Sequence, residues 1–242
     1  METYYAGVYW GARGEDVGAC AQRAELFFQM LAQCDATLGQ WYRAGRVARG
    51  APGHPMHTEN REELKDLLLR GRSRTDLDKQ IMEDLGFGLR VWNQQPDVSS
   101  TKVSLRCGAS TEAVSNVCLV NLPSEGEAVE RILTAPGLAR ILRCMATAWD
   151  PDWGIATSTK ARARMSVDEQ DADAGWLMYF ARRRGTVPLL PAPVRIEPVG
   201  TLGTLVILTP ERFTASNSEH LALGQRVHEL LKRAGLLKSP PA

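Results

Sequence analysis

The amino-acid sequence predicts an α+β fold, a mainly antiparallel or mixed sheet of about five to seven strands with helices packed on it. Three observations carry that expectation. A strand pattern runs directly into a strong amphipathic helix pattern between Tyr4 and Tyr42. Three strand-like runs, 86–94, 101–109 and 116–122, follow one another across links too short for a parallel crossover, so they favour an antiparallel meander. Capping signals precede apolar residues spaced by three and four, which marks helices around those strands. With 242 residues, 44% of them hydrophobic and 24% charged, the chain can bury an ordinary core. We read it as one domain over 1–242.

The elements follow in order. Tyr4, Tyr5, Val8, Tyr9 and Trp10 are aromatic or β-branched, broken only by small Ala6 and Gly7, and the run stops at Gly11. This is a buried strand. From Glu15 the period changes. Val17, Cys20, Ala21, Ala24, Phe27, Phe28 and Leu31 make one apolar stripe, and burying its larger members is worth roughly 10 kcal/mol gross at ~1.5–3 kcal/mol each. Such a helix needs a sheet beneath it. Trp41 and Tyr42 close the core, and the Gly-, Arg- and Pro-rich segment 43–57 reads as a flexible surface loop. Asn60 with Glu63 caps a short helix through Leu64, Leu67 and Leu68 that ends near Gly71. A second short helix is expected over 77–85.

After the meander, 125–133 and 138–149 read as helices interrupted at Pro136-Gly137. Asp150-Pro151-Asp152 forms a turn into a short strand at 153–157. Ser166 with Glu169 is a further capping box, and Asp168, Glu169, Asp171 and Asp173 place negative charge where a helix dipole favours it. The bulky run 175–180 supplies packing residues. Pro188, Pro191 and Pro193 stiffen an extended link to two strands, 194–199 and 204–208, joined at 200–203. Ser216 and Glu219 cap the last helix, whose Leu223, Val227, Leu230 and Leu231 face inward before Gly235. Residues 238–242 form a frayed tail.

Charge and composition narrow the function classes. Twenty-nine basic and 28 acidic residues leave a net charge of +1, so no global field holds nucleic acid or an anionic membrane. There is no membrane-length apolar run, and no basic segment with an apolar stretch opens the chain, so a cytoplasmic location is expected. The five cysteines form no CxxC pair and read as buried free thiols. Candidate chemistry is sparse. His54 and His57 could serve a metal-dependent hydrolase if a carboxylate such as Asp150 or Asp152 converged on them. No G-x-S-x-G elbow or phosphate loop occurs, and Gly86-x-Gly88 lacks the rest of a dinucleotide fingerprint. The basic clusters 70–74 and 182–184 read as solvated helix ends.

Several segments resemble the immunity protein 52 family of bacterial polymorphic-toxin systems. They are Tyr4-Tyr5 through Trp10-Gly11-Ala12-Arg13 with Glu15 and Cys20-Ala21, then Phe27, Phe28, Leu31 and Trp41-Tyr42. Leu89 to Trp92-Asn93, Gly175-Trp176-Leu177 with Tyr179, Gly203-Thr204-Leu205-Val206, and Thr209 with Arg212-Phe213 continue the likeness. The resemblance implies a cytosolic antidote that binds a cognate type VI secretion effector, often a nuclease of restriction-endonuclease fold, with no catalytic set, no cofactor and neither membrane nor nucleic acid as direct partner. A phosphate-gripping nuclease is basic, so an acidic antidote face would speed encounter. The densest acidic span is Asp150, Asp152, Asp168, Glu169, Asp171 and Asp173, and Trp149 and Trp153 flank its first pair as candidate interface anchors. On this reading, reversing Asp150 and Asp152 leaves thermal stability nearly unchanged.

Overall fold

The structure, a computed structural model, describes residues 2–43, 53–165 and 172–238. Its elements are β1 (Tyr4–Trp10), α1 (Val17–Ala32), β2 (Trp41–Arg43), β3 (His54–Met56), α2 (Arg61–Arg70), β4 (Phe87–Trp92), β5 (Lys102–Cys107) and β6 (Asn116–Asn121). There follow α3 (Glu127–Ile132), α4 (Ala135–Trp149), β7 (Trp153–Ser158), α5 (Thr159–Met165), β8 (Leu177–Ala181), β9 (Arg195–Val199), β10 (Gly203–Ile207) and α6 (Ser218–Arg233). All the strands join one sheet in the order β3-β2-β4-β5-β6-β1-β7-β8-β10-β9, and its pairings are antiparallel. β1 lies between β6 and β7 near the middle, as the opening strand pattern suggests.

The sheet has ten strands, which corrects the expected five to seven. The seven runs with a readable pattern are all present. The three additions escaped for physical reasons. Every residue of β8 is buried, so it carries no alternation. β2 and β3 have three residues each, too few to show a period, and Pro55 in β3 fits an edge strand because it donates no ladder hydrogen bond. The loop expected at 43–57 therefore ends in a strand, while 44–52 lie outside the described residues.

Other corrections are local. No α-helix forms over 77–85, where only a short 3-10 turn spans Glu83–Leu85. Instead Thr75 N–H donates to Gln80 O and Met82 N–H to Ser73 O, while the Thr75 and Asp78 side chains bond within the loop and compete with a helix. Leu77 stands exposed at its tip. The break between α3 and α4 falls at Leu133 and Thr134, not at Pro136-Gly137. Thr134 Oγ1 accepts from Gly137 N–H, and Pro136 sits in the first turn, where its missing N–H costs no hydrogen bond. Asn217, rather than Ser216, caps α6 through Glu219 N–H. The Ser166–Glu169 capping box lies outside the described residues.

Helices α1 and α4 cover the sheet face that carries Ala6, Val8 and Trp10. The Trp10 and Trp149 rings stack with centroids 5.5 Å apart, Phe27 lies 6.1 Å from Trp149, and Cys144 Sγ donates to Phe27 O. Phe28 meets Trp41 of β2 at 5.5 Å. The stripe predicted for α1 is the buried one: Cys20, Ala21, Ala24, Phe27, Phe28 and Leu31. Cys20, Cys107, Cys118 and Cys144 are buried free thiols, and Cys34 is half-buried.

Asp35 ties α1's exit to α3. It accepts from Thr37 N–H and from Arg131 Nε at 2.7 Å, and the Arg131 hydrogen bond holds its carboxyl down from 3.8 to about 2. A depressed carboxyl contributes stability above its unfolded value and loses it as pH falls through its folded value. Arg131→Gln is therefore expected to be less stable than the parent above about pH 4, the unfolded carboxylate range, with a deficit that shrinks strongly by pH 2. Urea midpoints at pH 6 and pH 2 check this. An equal deficit at both would refute it.

Candidate functional site

The turn after α4 is built by charge. Asp150 takes the left-handed conformation (φ 44°, ψ 57°), which aspartate tolerates better than most residues, and its N–H closes the helix on Ala146 O. Asp152 then joins three strand ends: its N–H donates to Tyr9 O, its carbonyl accepts Ala181 N–H, and Oδ2 accepts Gly11 N–H at 3.0 Å. Arg183 straddles both acids. Its Nε donates to Asp152 Oδ1 at 2.7 Å, and Nη1 donates to Asp150 Oδ1 at 3.0 Å. From the other side Arg13 donates to Trp149 O and Asp150 O, with its guanidinium carbon 5.3 Å from the Trp10 ring centre. Burial pulls Arg13 below its ordinary value, and Glu15 opposes that shift.

The predicted site residues are thus distributed among different roles. Trp149 is wholly buried against Trp10 and offers a partner no surface. Trp153 is half-buried and stacks on Tyr9 with centroids 4.4 Å apart, at the surface beside Asp150 and Asp152. Asp173 is nearly buried and paired with Arg162 at 2.5 Å, whose Nη1 also donates to Tyr5 Oη. Tyr5 and Tyr9 lie four residues apart on β1, roughly 13 Å at ~3.3 Å per residue, so Asp173 and the Asp150–Asp152 turn occupy opposite ends of that strand. Asp168, Glu169 and Asp171 lie outside the described residues.

The hydrolase constellation does not assemble. His57 Nδ1 lies 2.8 Å from Glu63 Oε2, and His54 sits on the edge strand β3. The Asp150–Asp152 turn leads into β7, six strand positions away, or roughly 29 Å at ~4.8 Å per strand. Among the described residues no three His, Cys, Asp or Glu side chains are grouped to hold a metal ion.

The feature that sequence reasoning missed is a sheet face. Side chains of a strand alternate between faces, so the register assigns each residue. Leu89, Val91, Val103, Leu105, Cys118 and Val120 point with Val8 into the core and are buried. The alternate residues form the opposite face. One row runs Gly88, Arg106, Val117, Tyr9, Trp153 across five strands, and the next runs Arg90, Ser104, Leu119, Gly7. A third holds Tyr42, Trp92, Lys102 and Asn121. Arg90, Lys102 and Asn121 are exposed, and the others except Gly7 are only half-buried. The same face at β7 and β8 is closed, with Ile155, Thr157, Met178 and Phe180 buried. An open half-face therefore adjoins the Trp153 turn. The alternation of Arg90, Trp92, Lys102, Ser104 and Arg106 with apolar residues was its signal.

No helix among the described residues is long and apolar enough to cross a membrane. No curated protein matches the chain. Among solved structures, the T6SS protein PA0821 of Pseudomonas aeruginosa is similar in fold, with a TM-score of 0.55 at 12% identity over 98% of this chain and 77% of that one. The family model for immunity protein 52 matches residues 2–240, taking in the sheet, the helices and the Asp150–Asp152 turn alike. With nearly its whole length matched, the chain belongs to the immunity protein 52 family.

Proposed function

We propose that this protein is the antidote of a type VI secretion effector–immunity pair, binding a cognate toxin and neutralising it in the cytoplasm without a cofactor or chemistry of its own. The family match over residues 2–240 carries the reading. The fold likeness to a protein titled as a T6SS component supports the secretion context. The toxin we infer is a nuclease of restriction-endonuclease fold, whose phosphate-binding surface is cationic.

The toxin's approach is placed at the turn where Trp153, Asp150 and Asp152 meet the open sheet face. Trp153 is the available aromatic anchor there, while Trp149 is taken up by its stack on Trp10 in the core. Asp150 and Arg183 are each roughly half exposed, so a toxin cation can compete with Arg183 for the Asp150 carboxylate while Asp152 stays with the turn. Asp168, Glu169 and Asp171 are proposed as further acidic contacts, while Asp173 is held by Arg162.

The deciding experiment is co-expression with the toxin encoded beside this gene. A stable complex on size-exclusion chromatography and restored growth of toxin-expressing cells are expected. Absence of both ends this reading.

A further inference from the structure

Among the described residues, the open face carries three cations without partners. Several other arginines reach carboxylates: Arg61 pairs with Glu25, Arg131 with Asp35, Arg143 with Glu197 and Arg212 with Glu130. Among the described residues Arg90, Lys102 and Arg106 make no ion pair and no side-chain hydrogen bond. Their placement also sets like charges near one another. Arg90 lies directly opposite Ser104, and Lys102 and Arg106 sit two residues to either side of that serine. Both are diagonal neighbours of Arg90 at roughly 7–8 Å, a spacing at which like charges on one face repel.

The ground between them is hollow. A groove of about 420 Å³ is lined by Arg90, Arg106, Ser104, Ser73, Gly71 and Gly88 among others. Its end is kept low by two glycines packed backbone to backbone, since a Cβ on Gly88 would stand 2.9 Å from Gly71 O and a Cβ on Gly71 would strike Gly88 O. Val117 supplies apolar wall beside the cations. Guanidinium groups, serine hydroxyls and a short apolar wall together suit a planar anion on a peptide, which arginine receives in a bidentate fork.

We propose that this groove receives an acidic segment of the cognate toxin, its carboxylates bound by Arg90 and Arg106 and steered by Lys102, on the same face as the Tyr9–Trp153 stack. This inference rests on the antidote reading and places part of the interface within it. Charge complementarity selects the occupant. The cations repel one another in the free protein, and an anionic partner turns that repulsion into attraction. The Gly88, Arg106, Val117, Tyr9, Trp153 row spans four strand intervals, roughly 19 Å at ~4.8 Å each, so the groove and the Trp153 turn can each supply part of one partner's contact patch.

The test is binding of the purified toxin, inactivated at its catalytic site, by biolayer interferometry over a salt series. Arg90→Glu/Arg106→Glu is expected to weaken affinity by about 30-fold or more and to flatten the salt dependence. Ser104→Glu, which puts a negative charge at the centre of the cluster, is expected to weaken it without removing either arginine. Lys160→Glu, on an exposed position of α5, is expected to bind like the parent. Unchanged melting temperatures show that the variants fold, and Arg90→Gln/Arg106→Gln serves in their place if the reversals do not. Parental affinity in both groove variants would overturn this placement while leaving the antidote reading intact. Failure of the unmodified protein to bind the toxin would overturn both. Binding of a single-stranded oligonucleotide that the reversals abolish, with toxin affinity unchanged, would assign the groove to nucleic acid and overturn the proposal.

Discussion

Trp149→Ala is expected to destabilise this protein by about 3–5 kcal/mol, the range for emptying a buried tryptophan site. Trp149 ends α4 fully enclosed, stacked on Trp10 of the central strand and packed against Phe27 of α1. One indole thus joins the two main helices to β1, and the cavity left by alanine opens where all three meet. These neighbours are a strand and two helices of 15 and 16 residues, which cannot collapse far into the space. At ~2–4 °C per kcal/mol for a chain of this size, the melting temperature falls by roughly 6–20 °C. Differential scanning calorimetry checks the result. A shift under about 2 °C would show that the ring is not the structural centre described here. Any loss of toxin binding in this variant should follow the fraction unfolded, because the side chain reaches no surface.

Asp152→Lys is expected to cost about 1–3 kcal/mol, whereas Asp150→Asn costs under about 1 kcal/mol. Two residues apart in the same turn, the acids differ in what they hold. Asp152 Oδ2 takes the Gly11 N–H and Oδ1 takes Arg183, so lysine leaves a strand-end donor without its acceptor and sets a cation beside Arg183. Among the described residues the Asp150 carboxylate hydrogen-bonds only to Arg183, at a half-exposed position, and asparagine retains its tolerance for the left-handed backbone. For Asp152 these bonds argue against the sequence-based expectation that reversing both acids leaves thermal stability nearly unchanged. The pair also separates structure from recognition. Asp150→Asn should slow toxin association with little change in melting temperature if Asp150 steers encounter, and urea denaturation with stopped-flow binding measures the two effects. Equal destabilisation by both variants would show that the turn does not divide its work in this way.

Local pattern alone determined much of this architecture. The Tyr4–Trp10 strand, the α1 stripe, the α2 cap at Asn60, the three-strand meander and the final β9–β10 pair with α6 were legible because each has a clear period or turn chemistry, and the fold keeps them. What stayed hidden had no local signature. β8 is buried on both sides, and β2 and β3 are too short to show alternation. The candidate site residues divide along the same line. Composition located the acids at 150 and 152, but their partners Arg183 and Arg13 lie 33 and 137 residues away, so only folding reveals that the turn is neutralised. Trp149 and Trp153 look equivalent in sequence, and α4's docking sends one into the core while the other stays on the rim. Arg90, Lys102 and Arg106 alternate visibly with apolar residues, which shows that they share a face. That this face stays open and unpaired at β4–β6 but is closed at β7 and β8 is decided by packing between distant segments, which no local period encodes.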